Sequence, residues 1–215
     1  MVTTTLRTSI HIILLTLLCV VFIVPTSGES SKSPNILFAM ADDWGWPHAT
    51  VYGDQVVKTP TFGRLAKEGV LFEHAYISSP SCTPSRNAIL TGQQFYRLEA
   101  GASLWSALDI KHPNFMYALR DNGYQIGHWR KAWGPGDFKA GGYTSHPCGS
   151  ESDFKTFMAK RDGNKPFCFW FGTTDPHRAY KKNSGQNSGM NINNIHVPKF
   201  FPNNKIINQR GKHIA

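Results

Sequence analysis

Two stretches of the 215-residue chain, KTPTFGRLAKEGVLFEHAYI and NFMYALRDNGYQIGHW, follow one plan: a helical segment, a glycine, then an apolar run of β type. In the first, Thr59 takes the helix N-cap and Pro60 the first helical position, Phe62, Leu65 and Ala66 share a face, and Gly69 stops the helix before VLFEHAYI resumes as a strand. In the second, the helix ends at Gly123 and a strand begins at Tyr124. Two more apolar runs complete the pattern. PNILFAMADD is nearly continuous and reads as a strand buried on both faces, and PFCFWFGTTDPH reads as another central strand. Strands separated by helices, with glycine at the helix-to-strand turns, predict an α/β domain with a largely parallel sheet flanked by helices. Ligands of such sheets bind beyond the carboxyl ends of the strands, which is where Asp42, Asp43, Asp175 and His177 fall.

The N-terminal residues carry one positive charge at Arg7, an uninterrupted apolar run from Ile12 to Val24, then Pro25 and small residues. That pattern predicts a secretory signal peptide over residues 1–28, cut near Gly28. Its apolar run is too short to span a bilayer comfortably, so no stable membrane insertion is expected after cleavage. A Ser-rich linker at 29–33 leads into a domain at 34–180, and roughly 185 mature residues suffice for one domain with a substantial core. From Lys181 the chain turns Gly/Asn/Ser-rich without apolar periodicity, so 181–215 reads as an extended loop and an interrupted continuation of the domain. The formal charge of +9 suits polyanionic partners. The basic residues are dispersed, however, with no run longer than two, and nothing in them selects nucleic acid.

Export narrows the meaning of the cysteines. Cys82, Cys148 and Cys168 remain after the leader is removed, and three cannot all pair; the simplest arrangement joins Cys148 to Cys168 and leaves Cys82 free. Cys82 lies in SCTPSRNAILTG, where Thr83 is a good N-cap and Pro84 suits the first helical position, so the thiol should sit just ahead of a helix N-terminus, where unsatisfied amides favour an anion. Arg86 adds a forked, permanent cation suited to a tetrahedral oxyanion. The stretch fits a capped helix with a buried thiol as well as a reactive site. Tyrosine-phosphatase loops place five residues between Cys and Arg where this chain has three, and the cysteines lack paired zinc spacing.

The blocks PNILFAMADDWG, TPTFGRLAKEGVLFEHAY and SCTPSRNAILTG, continuing through GYQIGHWRKAWG and KPFCFWFGTTDPHRAY, resemble the sulfatase family of the alkaline-phosphatase-like superfamily in order and spacing. The resemblance covers residues 33–203, rests above all on C-x-P-S-R followed by Thr-Gly, and is nearest to the heparan N-sulfatase (N-sulfoglucosamine sulfohydrolase) branch. It implies that Cys82 is oxidised by a maturase to formylglycine, whose hydrate attacks sulfur. It also implies that Asp42, Asp43 and the converted residue 82 hold Ca²⁺, or Mg²⁺, through hard oxygen ligands. Lys131 matches the sulfate-binding lysine and His177 the histidine that contacts sulfate or the leaving group, with Arg86 completing the catalytic set. The implied activity is hydrolysis of a sulfuric ester or sulfamate on N-sulfoglucosamine of heparan-type glycans.

Two departures qualify the resemblance. Many sulfatases read Gly-Lys-Trp-His at the lysine, whereas this chain reads Arg130-Lys131-Ala132-Trp133; His128, an odd number of residues from Lys131 along a strand, receives no role. No Asp follows Asp175, and Asn191, Asn193 and Asn194 lie in a polar loop, so the family's later Asp-Asn pair and second lysine have no match. The expectation is therefore an N-terminal portion of the pattern, incomplete on its C-terminal side and not competent alone. Two other readings are a secreted sulfatase-like protein that only binds sulfated glycans, and a phosphodiesterase or phosphonate hydrolase of the same superfamily.

Overall fold

The computed structural model describes residues 33–179, 181–195, 199–202 and Asn204. The signal-peptide reading of 1–28 falls outside the described residues, and among those described no helix is long and apolar enough to cross a membrane. Strands β1 (Ile36–Met40), β2 (Gln125–Arg130), β3 (Ser150–Glu151) and β4 (Phe167–Gly172) form one sheet in the order β1-β4-β2-β3, with every pairing parallel. Helices α1 (Pro60–Glu68), α2 (Cys82–Thr91), α3 (Phe115–Asp121) and α4 (Phe154–Lys160) precede or link them, and a single helical turn, α5 (Ser184–Asn187), interrupts the polar segment read as loop. The expected α/β architecture is present.

β4 organises the core because it is paired on both sides, its Cys168 facing Ile36 of β1 and its Phe167 facing Gln125 of β2. Its alternate side chains serve different faces. Cys168 and Trp170 join Leu90, Leu98, Leu108, Met116 and Trp133 on one side, while Phe167 and Phe169 pack on Phe157 of α4 on the other. Asn114 caps α3 by accepting from the Met116 and Tyr117 amides, and Asp153 caps α4 by accepting from Thr156 N at 2.9 Å.

Four local expectations change. β1 is not buried on both faces: it is an edge strand among the described residues, and Leu37 is 53 % exposed. VLFEHAYI forms no strand, and its Val70, Phe72, Tyr76 and Ile77 are exposed. β propensity becomes a strand only through a neighbour, and the described residues place none beside it. α1 starts at Pro60 as expected, but the Thr59 hydroxyl accepts from Thr50 N at 3.0 Å rather than capping its own helix, and Leu65 faces solvent. Finally, Cys148 and Cys168 are buried free thiols rather than a disulfide. The Cys168 thiol points at Met116 Sδ, 3.5 Å away, and burial pushes its pKa up to about 11 and that of Cys148 higher still.

Candidate active site

The site assembles where β1 and β4 end. Past the last strand residues the two segments stay stitched together, Thr173 N donating to Met40 O and Asp42 N to Asp175 O, each at 3.0 Å. This fixes the backbone of Asp42, whose side chain is turned inward and only 4 % exposed. Its Oδ1 accepts from Arg86 Nη2 at 3.1 Å, and its Oδ2 accepts from Lys131 Nζ. Lys131 Nζ lies 3.2 Å from Cys82 Sγ. One ammonium thus bridges the first residue of α2 and the first residue pair after β1.

Helix α2 starts two residues earlier than expected, with Ser81 at the cap and Cys82 as the first helical residue. Thr83, read as the cap, is buried inside the first turn and donates its hydroxyl to Pro135 O at 2.5 Å. Close backbone approaches make this possible. A Cβ on Gly172 would lie 2.0 Å from Lys131 O, and one on Gly134 would lie 2.6 Å from the Thr83 Cα, so side chains there would push the lysine strand and the cysteine helix apart. Nothing in the sequence pattern marked these glycines as site residues; their adjacency to Lys131 and to the DPH segment was the available signal.

Arg86 is 2 % exposed, and its Nη1 donates to Lys131 O and, at 2.9 Å, to Ala132 O. With Nη2 on Asp42, the guanidinium ties together α2, the end of β1 and the turn after β2. Here it is a buried clamp that positions Asp42 and Lys131, rather than a donor facing an incoming oxyanion. Trp133, where many relatives' pattern has histidine, is in the core with its indole N–H donating to Asn87 Oδ1 at 2.5 Å, so no proton donor reaches the site from that position.

The other half of the site is open. Asp43 has a left-handed backbone (φ 60°) and a carboxylate 55 % exposed, with His177 Nε2 at 3.8 Å. His177 Nδ1 donates to Arg178 O at 2.7 Å, so Nε2 is the ring nitrogen that faces Asp43. One ligand atom each from Asp42, Cys82 and His177 lies within 4.8 Å of the others. The Asp42 and Asp43 carboxylates and, once Cys82 carries oxygen in place of sulfur, a further hard donor fit a divalent cation such as Ca²⁺ or Mg²⁺, with the His177 imidazole beside them.

The sulfatase family profile matches residues 34–158. The chain belongs to the sulfatase family. It is 30 % identical over 178 residues to the N-acetylglucosamine-6-O-sulfatase of Bacteroides thetaiotaomicron, a match covering 70 % of this chain and 32 % of that protein. Human steryl-sulfatase is 33 % identical over 123 residues, covering 50 % of this chain and 21 % of its own length. This sulfatase chain therefore spans about a third or less of the curated relatives it matches. Among solved structures, a protein in complex with its substrate D-glucosamine-2-N,6-O-disulfate superposes with a TM-score of 0.55 and 25 % identity, over 70 % of this chain and 36 % of that one. Ps i-CgsB gives a TM-score of 0.58 at 17 % identity, over 85 % of this chain and 52 % of its own, and so supports the fold alone.

Proposed function

We propose that this sulfatase is a sulfuric ester or sulfamate hydrolase whose nucleophile is a formylglycine made from Cys82, and that it acts on N-sulfoglucosamine of heparan-type glycans. The observation that carries the proposal is the convergence of Lys131 Nζ on Asp42 and on Cys82 Sγ at the first turn of the C-x-P-S-R helix. The Cys82 sulfur stands in for an oxygen of the formylglycine hydrate. That oxygen attacks substrate sulfur; the new S–O bond forms as the bond to the sugar nitrogen or oxygen breaks, and the leaving atom takes a proton. The remaining hydrate hydroxyl then loses its proton, the C=O re-forms and sulfate departs, with no net redox change.

In this chain Lys131 holds the negative charge that develops at residue 82, and buried Arg86 keeps both Asp42 and the Lys131 backbone in register. His177 Nε2 is the group placed to hold or give the proton of the leaving atom. Asp42, Asp43 and the converted residue 82 would hold a divalent cation, which would neutralise charge on the sulfuryl oxygens when bound. The glucosamine assignment is supported by the disulfated glucosamine bound in the solved relative and by the sulfatase of N-acetylglucosamine among the curated ones. Export is supported by the apolar leader, which would deliver the chain to a formylglycine-generating maturase.

Peptide mass spectrometry of residues 78–92, on full-length chain exported with an active maturase, is expected to show the aldehyde at Cys82. Only thiol or disulfide there overturns the nucleophile. Metal-dependent turnover should favour N-sulfoglucosamine over a phosphodiester; the reverse preference moves the enzyme to phosphoryl transfer, and cleavage of O-sulfate alone removes the N-sulfo assignment.

A further inference from the structure

Trp105 is 72 % exposed and has a left-handed backbone, φ 65°. A bulky residue avoids that region unless its surroundings impose it, and here packing of the indole is not the reason, because the indole faces solvent. The backbone around it is what is held. Trp105 N donates to the Thr83 hydroxyl at 3.3 Å, and the same hydroxyl donates to Pro135 O. Ser106 Oγ closes the turn onto Ser103 O at 2.6 Å, and Ser106 O sits so close to Gly136 (φ 150°) that a Cβ there would be 2.2 Å away. The loop is therefore pinned to the residue next to Cys82 on one side and to the turn that follows Lys131 on the other. Leu104, which precedes Trp105, is also exposed, and Leu108, three residues after Trp105, is fully buried.

An exposed aromatic held in a strained conformation by two elements that carry the site is a recognition device rather than a piece of core. We propose that Trp105 is a stacking platform for a second sugar ring, so that the site takes the sulfated residue as part of an oligosaccharide rather than as a monosaccharide. The apolar C–H face of a pyranose lies flat on an indole and leaves its hydroxyls in water, which suits a surface that is exposed on one side and rigid on the other. This rests on the sulfated-glycan reading above.

The test is calorimetric titration of the full-length protein with three probes: an N-sulfoglucosamine monosaccharide, the tetrasaccharide that ends in it, and the same tetrasaccharide without sulfate. Wild type should bind the sulfated tetrasaccharide about tenfold more tightly than the monosaccharide, the advantage expected from covering one aromatic face. Trp105→Ala should lose that advantage and all binding of the desulfated tetrasaccharide while keeping monosaccharide affinity, and Trp105→Phe should restore most of it. An unchanged advantage in Trp105→Ala overturns the platform and leaves the proposed function standing. Failure of wild type to bind the sulfated monosaccharide overturns the proposed function itself, and binding of the desulfated tetrasaccharide in that case, abolished by Trp105→Ala, still supports the platform.

Discussion

Asp42 and Asp43 are adjacent in sequence and opposite in circumstance. Asp42 is buried and held by an arginine and a lysine from two other elements, while Asp43 is mostly in water, on a left-handed backbone, with a single histidine nearby. The backbone explains the split: both residues lie past the end of β1, where Asp42 is held by its amide donating to Asp175 O and Asp43 turns into the left-handed region. The consequence is a division of labour. The Asp42 half is preassembled, its carboxylate held by protein groups, whereas the Asp43 half presents an exposed carboxylate and a partly exposed imidazole.

The largest effect should follow from breaking the preassembled half. Arg86→Met leaves Asp42 buried with one counter-charge instead of two and frees two carbonyls that the guanidinium satisfied, so a loss of about 3–5 kcal/mol in unfolding free energy is expected from urea titration. Lys131→Met should cost clearly less, because the lysine is partly exposed and water can replace it. If the two variants cost the same, or Arg86→Met costs under about 1 kcal/mol, the arginine is not the clamp.

A smaller effect should come from the open half, and it should appear in binding rather than in stability. Asp43→Asn is expected to weaken Ca²⁺ binding by about tenfold or more in a calorimetric titration. Its urea midpoint should stay within about 0.5 kcal/mol of wild type, as for a surface change. Unchanged Ca²⁺ affinity would remove Asp43 from the cation site and leave the contrast between the two aspartates purely structural.

What could be read in the sequence divides along the same line. The parallel sheet was legible because β4 carries an apolar run that a central, doubly covered strand tolerates, and because glycine marks the helix-to-strand turn at Gly123. Cys82, Lys131 and Asp42 were legible through their motif, and the structure brings them together across 49 and 89 residues of sequence separation. VLFEHAYI was not legible, since its local pattern is that of a strand and only the absence of a described neighbour decides otherwise. Arg86 was found but its role was not: a guanidinium's partners are backbone carbonyls 45 and 46 residues away, and no local pattern encodes those. Trp105 was missed because nothing in LWSA signals a left-handed backbone.

The smallest expected effect concerns the strand that carries Lys131 to the site. His128, buried on β2, stacks on His146 with ring centroids 3.9 Å apart, and the two tautomers are fixed by backbone groups: His128 Nδ1 donates to Gly149 O at 3.0 Å, and His146 Nδ1 accepts from Cys148 N at 3.1 Å. Protonating His146 requires a proton on the nitrogen that already accepts the Cys148 amide, beside a second imidazole and under the edge of Phe138. Burial, reinforced by His128, therefore lowers the His146 pKa to about 3, and burial also lowers that of His128, with Glu151 acting in the opposite direction. Because the unfolded chain takes up these protons near pH 6.5, the pair's contribution to stability is fully present above that pH and is lost progressively as pH falls towards 3. With partial solvent screening, unfolding free energy should drop by about 1 kcal/mol between pH 7 and pH 5 from this source. His146→Asn keeps an acceptor near the Cys148 amide but cannot titrate, and it should flatten the profile between pH 7 and 5. If wild type and His146→Asn show the same slope, the stacked histidine pair is not the source of the acid sensitivity.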